Sequence, residues 1–282
     1  MKYTISHDSK YTFENPIFLE PHTFRFYPRQ SPHCRLLAYH LEIIPTPVGT
    51  GISEESSGTI AQQCWFEGLH HTLQIRAKMS VEIPFHNPFS FFISPPENAQ
   101  LPVQYDTITL SMMAAAMDAI PLGQKITAFA NDIRANTAGN TMTFLSTMTR
   151  EISSRFTAVT RDDGPPLPPE ETFASRQGSC RDLAWLQIQL LRNNGIAARF
   201  VSGYCYLVTD EKPNWELHAW VEAYIPGAGW FGLDPTHGLT CAMNHIPIAA
   251  SPFPEQTMPV SGSFRGKGVS TLENRIHIAC AE

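Results

Sequence analysis

Three side chains of this 282-residue sequence could together break an amide bond: Cys180, His218 and Asp234. A thiol is a strong nucleophile once a neighbouring base holds its proton, and that base needs an acceptor that fixes its orientation and tautomer. Each residue also has an ordinary structural interpretation, as a buried thiol, a strand histidine with a satisfied hydrogen bond, and a turn-forming aspartate. All three together, each on a suitable element, favour the catalytic interpretation.

The residues around Cys180 predict the start of a helix. Gly178 allows a sharp turn, Ser179 is a favourable N-cap, and Asp182 follows at the spacing of a capping box. Apolar residues then recur over 183–191 on more than one face, which predicts a largely buried helix. The cysteine therefore falls at the first helical position, where free backbone N–H groups and the helix dipole favour a thiolate.

The other two residues lie on a predicted β-hairpin. Residues 217–225 alternate strictly, and residues 230–235 form a second strand after the glycine-rich turn at 226–229. A strand places alternate side chains on opposite faces, so one face should lie in the core and the other should be wetter. The core-facing set is Ala219, Val221, Ala223 and Ile225, and the wetter set is His218, Trp220, Glu222 and Tyr224.

The register of this hairpin decides whether Asp234 can reach His218. Directly opposed residues of an antiparallel pair share a face, and their numbers have a constant sum. A four-residue loop over 226–229 gives 455 and turns Asp234 to the core face, and a loop of 226–230 gives 456 and places it farther from His218. Because the chemistry needs both side chains on one face, we predict a sum of 454, from a loop of 225–229, which places Asp234 opposite Trp220 and diagonal to His218. A β-bulge at one of the nearby glycines, Gly227, Gly229 or Gly232, would be compatible with this register.

Two regions with different secondary structure precede the cysteine. Residues 1–104 consist of short β-rich segments separated by prolines, which is typical of a sandwich. Residues 106–156 have helical periodicity. We predict a β-rich N-terminal module over 1–104 and a catalytic core over 105–282 that includes the helical segment.

The composition excludes several classes of partner. Charged residues make up 16% of the chain, the net charge is −6, and no basic block is present, so we expect no nucleic-acid partner. No run of 18 apolar residues and no apolar signal core occur, which indicates a cytoplasmic protein without a membrane partner. The six cysteines lack zinc-site spacing, and their even number leaves a disulfide open.

Four sequence blocks carry a resemblance to the bacterial transglutaminase-like superfamily, whose core is related to papain-type cysteine proteases. They are Arg-Gln-Gly-Ser-Cys-Arg-Asp at 176–182, Gly-Ile-Ala-Ala-Arg-Phe-Val-Ser-Gly-Tyr at 195–204, His-Ala-Trp-Val-Glu at 218–222 and Gly-Trp-Phe-Gly-Leu-Asp-Pro-Thr at 229–236. The first half of the chain also resembles the β-rich module that precedes this core in bacterial members. The resemblance implies an α+β fold, in which a β-sandwich-like module is followed by a papain-like core with the cysteine-bearing helix packed on an antiparallel sheet.

The same resemblance implies a nucleophile at Cys180, a base at His218 and an orienting carboxylate at Asp234. Gln177 is a candidate oxyanion donor, and Trp220 is a candidate wall of the cleft. We expect a peptide or protein substrate whose amide bond is cleaved through an acyl-enzyme. Hydrolysis is favoured over transfer to an amine, and a non-catalytic peptide-binding or assembly module is the alternative from another class. No calcium loop is visible, so neither a metal nor a cofactor is expected. The oligomeric state stays open.

Overall fold

The computed structural model describes residues 1–161, 164–209 and 212–281, and its fold is the predicted α+β arrangement. Strands dominate the first part of the chain: β1 (Lys2–Leu19), β2 (His22–Phe24), β3 (Arg35–Ile44), β4 (Gly49–Glu54), β5 (Ile60–Trp65) and β6 (His70–Glu82). The helices follow: α1 (Thr107–Met117), α2 (Gln124–Asn136), α3 (Thr141–Arg155), α4 (Pro169–Ser175) and α5 (Cys180–Asn193).

The remaining strands follow α3: two short strands flank α4, and the others come after α5. They are β7 (Thr157–Ala158), β8 (Gln177–Gly178), β9 (Ala198–Thr209), β10 (Lys212–Ile225), β11 (Gly229–Asp234), β12 (Leu239–Thr240), β13 (His245–Ser251), β14 (Val260–Ser261), β15 (Phe264–Arg265) and β16 (Ser270–Ala281). Short 3-10 helices cover Pro96–Ala99 and Pro254–Thr257.

Two antiparallel sheets form the N-terminal module, as the strand pattern predicts. The larger has the order β15-β1-β6-β3 with β16 beside β1, and the smaller has the order β14-β2-β5-β4. Strands β1 and β6 bury alternate residues, such as Tyr3 and Ile5 in β1 and Ile75 and Ala77 in β6. Because the alternate side chains of a strand point to one face, these residues join a single apolar core with Phe24 of the smaller sheet.

The C-terminal strands belong to the N-terminal sheets. Strand β16 pairs antiparallel with β1 from Lys2↔Ala281 to Phe13↔Ser270, and β14 pairs with β2. The predicted core of 105–282 therefore extends too far toward the C-terminus, because strands β14 and β16 pair with strands of the N-terminal module. Turn and strand patterns are local, and they do not reveal which distant strand will be the partner.

A third antiparallel sheet has the order β12-β11-β10-β9-β13, with α5 packed against β9 and β10. The predicted core face of β10 is confirmed, since its four residues lie with α5 in one buried cluster. The prediction that the opposite face is wetter is wrong at His218 and Trp220, which are each 2% exposed. Strand β13, on the far side of β9, brings His245 and Ala250 against Trp220 and closes off this face.

The predicted hairpin register is confirmed. Strands β10 and β11 pair from Val221↔Leu233 to Ile225↔Gly229, so the paired numbers sum to 454. The turn is shorter than expected, because only residues 226–228 lie outside the ladder, and the pairs in β10 and β11 show no bulge. Gly227 and Gly229 have φ of 91° and 75°, values that a residue with a side chain rarely adopts.

A buried histidine joins the two halves of the molecule. His7 of β1 hydrogen-bonds through Nδ1 to the Tyr204 hydroxyl of β9 at 3.0 Å and through Nε2 to Ser9 at 3.0 Å. Burial lowers its pKa to about 4, against the opposing effect of Asn274 on β16. The imidazole is therefore neutral in the folded protein at neutral pH.

We expect acidification to destabilise the protein through His7. The unfolded chain takes up a proton near pH 6.5 but the folded protein does so only near 4, so stability present above 6.5 is lost as the pH falls between these values. The loss should reach roughly 3 kcal/mol. Urea unfolding at a series of pH values measures it. His7→Gln should flatten the profile, whereas the exposed His71→Gln should not; equal profiles for both variants would contradict the assignment.

None of the helices in the described ranges combines the length and the apolar character needed to cross a membrane.

Candidate active site

The start of α5 places the thiol. Asp182 is fully buried, and its carboxylate accepts hydrogen bonds from the backbone N–H and the hydroxyl of Ser179, both at 2.7 Å, which confirms the predicted capping box. Asp182 also accepts from the Leu167 backbone N–H at 2.8 Å and pairs with Arg161. The cap therefore ties the preceding proline-rich segment to the helix start, and Cys180 is held at the first residue of α5.

The backbone before the cysteine turns differently from the expectation. The left-handed residue is Arg176, with φ of 56°, rather than Gly178. Gly178 is needed for another reason, since a Cβ there would lie 2.9 Å from the Asp182 Cβ and 3.2 Å from Thr172 Cγ2. Close packing of the cap against α4 thus requires glycine at this position.

The six cysteines are all free, and only some are accessible. Cys34, Cys64 and Cys205 are buried, whereas Cys180 is partly exposed at the helix start. Burial raises the pKa of Cys205 to about 12, so that thiol stays protonated at neutral pH. Location in the cytoplasm stays a prediction.

His218 is held by Asp234 across the hairpin. The imidazole Nε2 lies 2.9 Å from Oδ2 of Asp234, and both side chains are fully buried. Because Nε2 is committed to the carboxylate, Nδ1 is the ring nitrogen available to the thiol. Nδ1 also lies 3.0 Å from Oε1 of Glu216, although no described residue makes an aligned hydrogen bond to it.

The charges of this pair stabilise each other. Burial by itself would lower the pKa of His218, but the hydrogen bond and charge of Asp234, with contributions from Cys180 and Glu216, raise it well above 6.5. Burial likewise opposes ionisation of Asp234, and His218 with two further histidines brings its pKa well below the ordinary value. An imidazolium beside a carboxylate is therefore the stable form at neutral pH.

Two histidines that the sequence ranks low converge on the same carboxylate. Nδ1 of His237 lies 2.8 Å from Oδ2 of Asp234, and Nε2 of His245 lies 3.0 Å from the same oxygen. Oδ1 accepts from the backbone N–H groups of Thr236 at 2.9 Å and His237 at 3.3 Å. The Asp-Pro-Thr-His spacing is a signal for this turn, because an aspartate side chain often accepts from backbone N–H groups two or three residues later. No local signal points to His245, which opens β13.

Burial determines the protonation state of His245 and so its role beside Asp234. Burial lowers its pKa despite the neighbouring carboxylate, so it is a neutral donor to Asp234. Its Nε2 also lies 3.8 Å from the Cys205 sulfur, so Cys205, His245 and Asp234 form a second cysteine–histidine–aspartate cluster. Because the Cys205 thiol is buried and protonated, this cluster orients Asp234 and does not supply a nucleophile.

Two groups of side chains have the spacing of metal ligands. One consists of Cys205, Asp234 and His245, and the other of His218, Asp234 and His237, each with ligand atoms within 4.8 Å of one another. In both groups the histidine nitrogens already lie at hydrogen-bond distance from Asp234. These side chains could hold an ion only by giving up those bonds.

The remaining two candidates occupy different environments. Gln177 is exposed in β8, three residues before the thiol, and its oxyanion role stays a prediction. The prediction that Trp220 forms a cleft wall is wrong. Its side chain is 2% exposed and packs against Val201 and Ala250, with a T-shaped ring contact to His245. Trp220 therefore packs against the histidine cluster in the protein interior.

Comparison with known proteins agrees with this arrangement. The family model described as the transglutaminase-like superfamily matches residues 127–235, and the model of the bacterial transglutaminase-like N-terminal region matches residues 3–82. A solved structure of a candidate cysteine protease from Cytophaga hutchinsonii superposes with a TM-score of 0.71 at 22% identity, covering 99% of this chain and 90% of that chain. At this identity the likeness shows the fold.

Relatives in sequence include proteins with and without an assigned activity. An uncharacterized protein of Mycobacterium tuberculosis is 26% identical over 273 residues, which cover 88% of this chain and 82% of the relative. A protein-glutamine gamma-glutamyltransferase of Pseudomonas aeruginosa is 36% identical over 74 residues, which cover 23% of this chain and 11% of that protein.

Proposed function

Since this chain belongs to the transglutaminase-like superfamily, we propose that it is a thiol enzyme that cleaves or transfers amide bonds through Cys180, His218 and Asp234. One observation carries the proposal. Nε2 of His218 is held by Asp234 at 2.9 Å, which leaves Nδ1 to serve the thiol at the start of α5. In this proposal Cys180 is the nucleophile, His218 the base and Asp234 the orienting acceptor that this chemistry needs.

The first half of the reaction forms an acyl-enzyme. The Cys180 thiolate attacks the amide carbonyl carbon, and the new oxyanion accepts a hydrogen bond from the Cys180 backbone N–H, with Gln177 as a candidate second donor. His218 gives the proton on Nδ1 to the leaving nitrogen, the C–N bond breaks, and a thioester remains. Asp234 holds the imidazole in place throughout and stabilises its positive charge.

The second half releases the acyl group. Neutral His218 takes a proton from water, the resulting hydroxide attacks the thioester, and the carboxylic acid leaves as the thiolate returns. We favour this hydrolytic route. Transfer to an amine is the second candidate, and the segment that is similar to a protein-glutamine gamma-glutamyltransferase supports it. In that route the amine takes the place of water, and a new amide forms.

A screen with purified protein tests the proposal. Peptide, isopeptide and glutamine-plus-amine substrates are compared for wild type, Cys180→Ala and the control Cys280→Ala, whose thiol lies on β16 in the N-terminal module. We expect turnover of one substrate class by wild type and the control only. Release of free acid identifies hydrolysis, and incorporation of the amine identifies transfer. Equal turnover by Cys180→Ala would reject the proposal.

The non-catalytic alternative predicts an ordinary thiol at Cys180. Labelling with iodoacetamide at about pH 6, followed by peptide mapping, separates the two, because only a thiolate reacts quickly. We expect Cys180 to be modified much faster than the other five cysteines. Slow and uniform labelling would favour a peptide-binding or assembly module.

The pH dependence of the rate should be bell-shaped, with limbs that belong jointly to the thiol and the imidazole. The alkaline limb marks loss of the His218 proton that the leaving amine needs. Because Asp234 raises the pKa of His218, this limb should lie well above pH 6.5. Measurement of kcat/KM from about pH 5 to 10 would reveal it. A rate that only rises through about 8.5, as for an isolated thiol, would mean that no ion pair exists.

A further inference from the structure

Glu216 is a partly exposed carboxylate beside His218 that the proposed mechanism does not use. It lies on β10 two residues before His218, so both side chains leave the strand on the same face. Its Oε1 is 3.0 Å from Nδ1 of His218, and its side chain is 44% exposed. The carboxylate thus meets solvent at one side and the proton-donating nitrogen at the other.

This carboxylate carries a negative charge whose cationic neighbour is His218, and that imidazolium is shared with the buried Asp234. The close approach and charge of His218 lower the pKa of Glu216, with a smaller contribution from His237 and an opposing one from Asp234. Within the part of the chain that the structure describes, no lysine or arginine forms an ion pair with it.

The position of Glu216 relative to the reaction is specific. Nδ1 of His218 must deliver its proton to the leaving nitrogen, so that nitrogen comes within hydrogen-bond reach of Nδ1. Groups attached to the leaving nitrogen then lie within a few ångströms of the Glu216 carboxylate. A half-exposed charge at this separation still attracts or repels its neighbours measurably.

We propose that Glu216 is a specificity-determining residue that selects amide substrates with a positive charge on the amine side of the scissile bond. The inference rests on the proposed function, since it assigns the leaving group to the Nδ1 side of His218. A lysine or arginine directly after the scissile bond fits this chemistry. An acidic residue there is repelled both by Glu216 and, at longer range, by Asp234.

Matched peptides that differ only in the residue after the scissile bond test the proposal. We expect kcat/KM of wild type to be about five- to tenfold higher with lysine than with glutamine there, and lower again with glutamate, with the contrast reduced by salt. Glu216→Gln should bring the three values close together, and Glu216→Lys should reverse the order. Glu67→Gln removes an exposed carboxylate in the N-terminal module and should keep the wild-type order.

A second measurement needs no substrate. Cationic and anionic methanethiosulfonates of similar size are reacted with the protein, and the modification rate of Cys180 is followed by mass spectrometry, with Cys180→Ser as the blank. The ratio of the two rates cancels any general change in thiol reactivity. We expect a cationic preference in wild type and Glu67→Gln that Glu216→Gln largely removes.

The two measurements separate the two ideas. A flat charge preference in both, or one that persists in Glu216→Gln, overturns the role of Glu216 while leaving amide cleavage intact. Absence of turnover on every amide, together with a cationic preference in labelling that depends on Glu216, overturns the proposed function and supports the charge selection at the thiol.

Discussion

Cys180→Ser is expected to lower kcat/KM by at least about 10³-fold, which corresponds to about 4 kcal/mol of transition-state stabilisation. A serine hydroxyl does not ionise at neutral pH, and the imidazolium at His218 cannot act as a base toward it. The proposed thiolate nucleophile is therefore lost with the sulfur. The measurement is kcat/KM on the substrate class identified in the screen.

The folded state should tolerate this change. Serine is well accepted at a helix start, and the capping box that fixes this end of α5 is formed by Ser179 and Asp182 rather than by the cysteine. The control is Cys280→Ser, which should keep full activity, and urea unfolding should give similar midpoints for both variants. Activity within about tenfold of wild type, or 1.4 kcal/mol, would exclude Cys180 as the nucleophile.

Asp234→Asn is expected to lower kcat by roughly 10³- to 10⁴-fold. Three histidine nitrogens lie within 3.0 Å of Oδ2, and an amide cannot balance the charge of an imidazolium. If the amide NH2 takes the place of Oδ2, it faces Nε2 of His218 as a donor and favours the tautomer with the proton on Nδ1. Neutral His218 in that tautomer cannot accept a proton from the thiol.

The pH profile distinguishes this role from a merely structural one. Loss of the carboxylate removes the interactions that raise the pKa of His218, while burial continues to lower it, so the alkaline limb should move to lower pH. Asp132→Asn, an exposed change on α2, is the control and should leave both rate and limb unchanged. A variant with wild-type kcat and an unmoved limb would mean that Asp234 does not act on His218.

Much of the site could be predicted from the sequence because its rules act over short distances. A capping box involves residues three apart, so Ser179 and Asp182 suffice to place Cys180 at the start of a helix. The turn signal at 226–229 by itself would give a hairpin sum of 455. The observed sum of 454 was predicted by adding the requirement that Asp234 and His218 share a face of the sheet. The core face of β10 could be predicted because strand alternation is also a local rule, and the structure confirms it.

Other features were decided only by contacts between distant segments. His245 reaches Asp234 because β13 pairs with β9, and this pairing also buries Trp220, which alternation alone placed on a wet face. The return of β16 to β1 moved the last residues out of the expected core. The helix start, the hairpin and the positions of the candidate side chains on them were thus determined by the sequence, through local hydrogen bonding and alternation. The tertiary structure decided which remote strands cover the site, because strand partners are selected by complementary apolar faces across the whole chain.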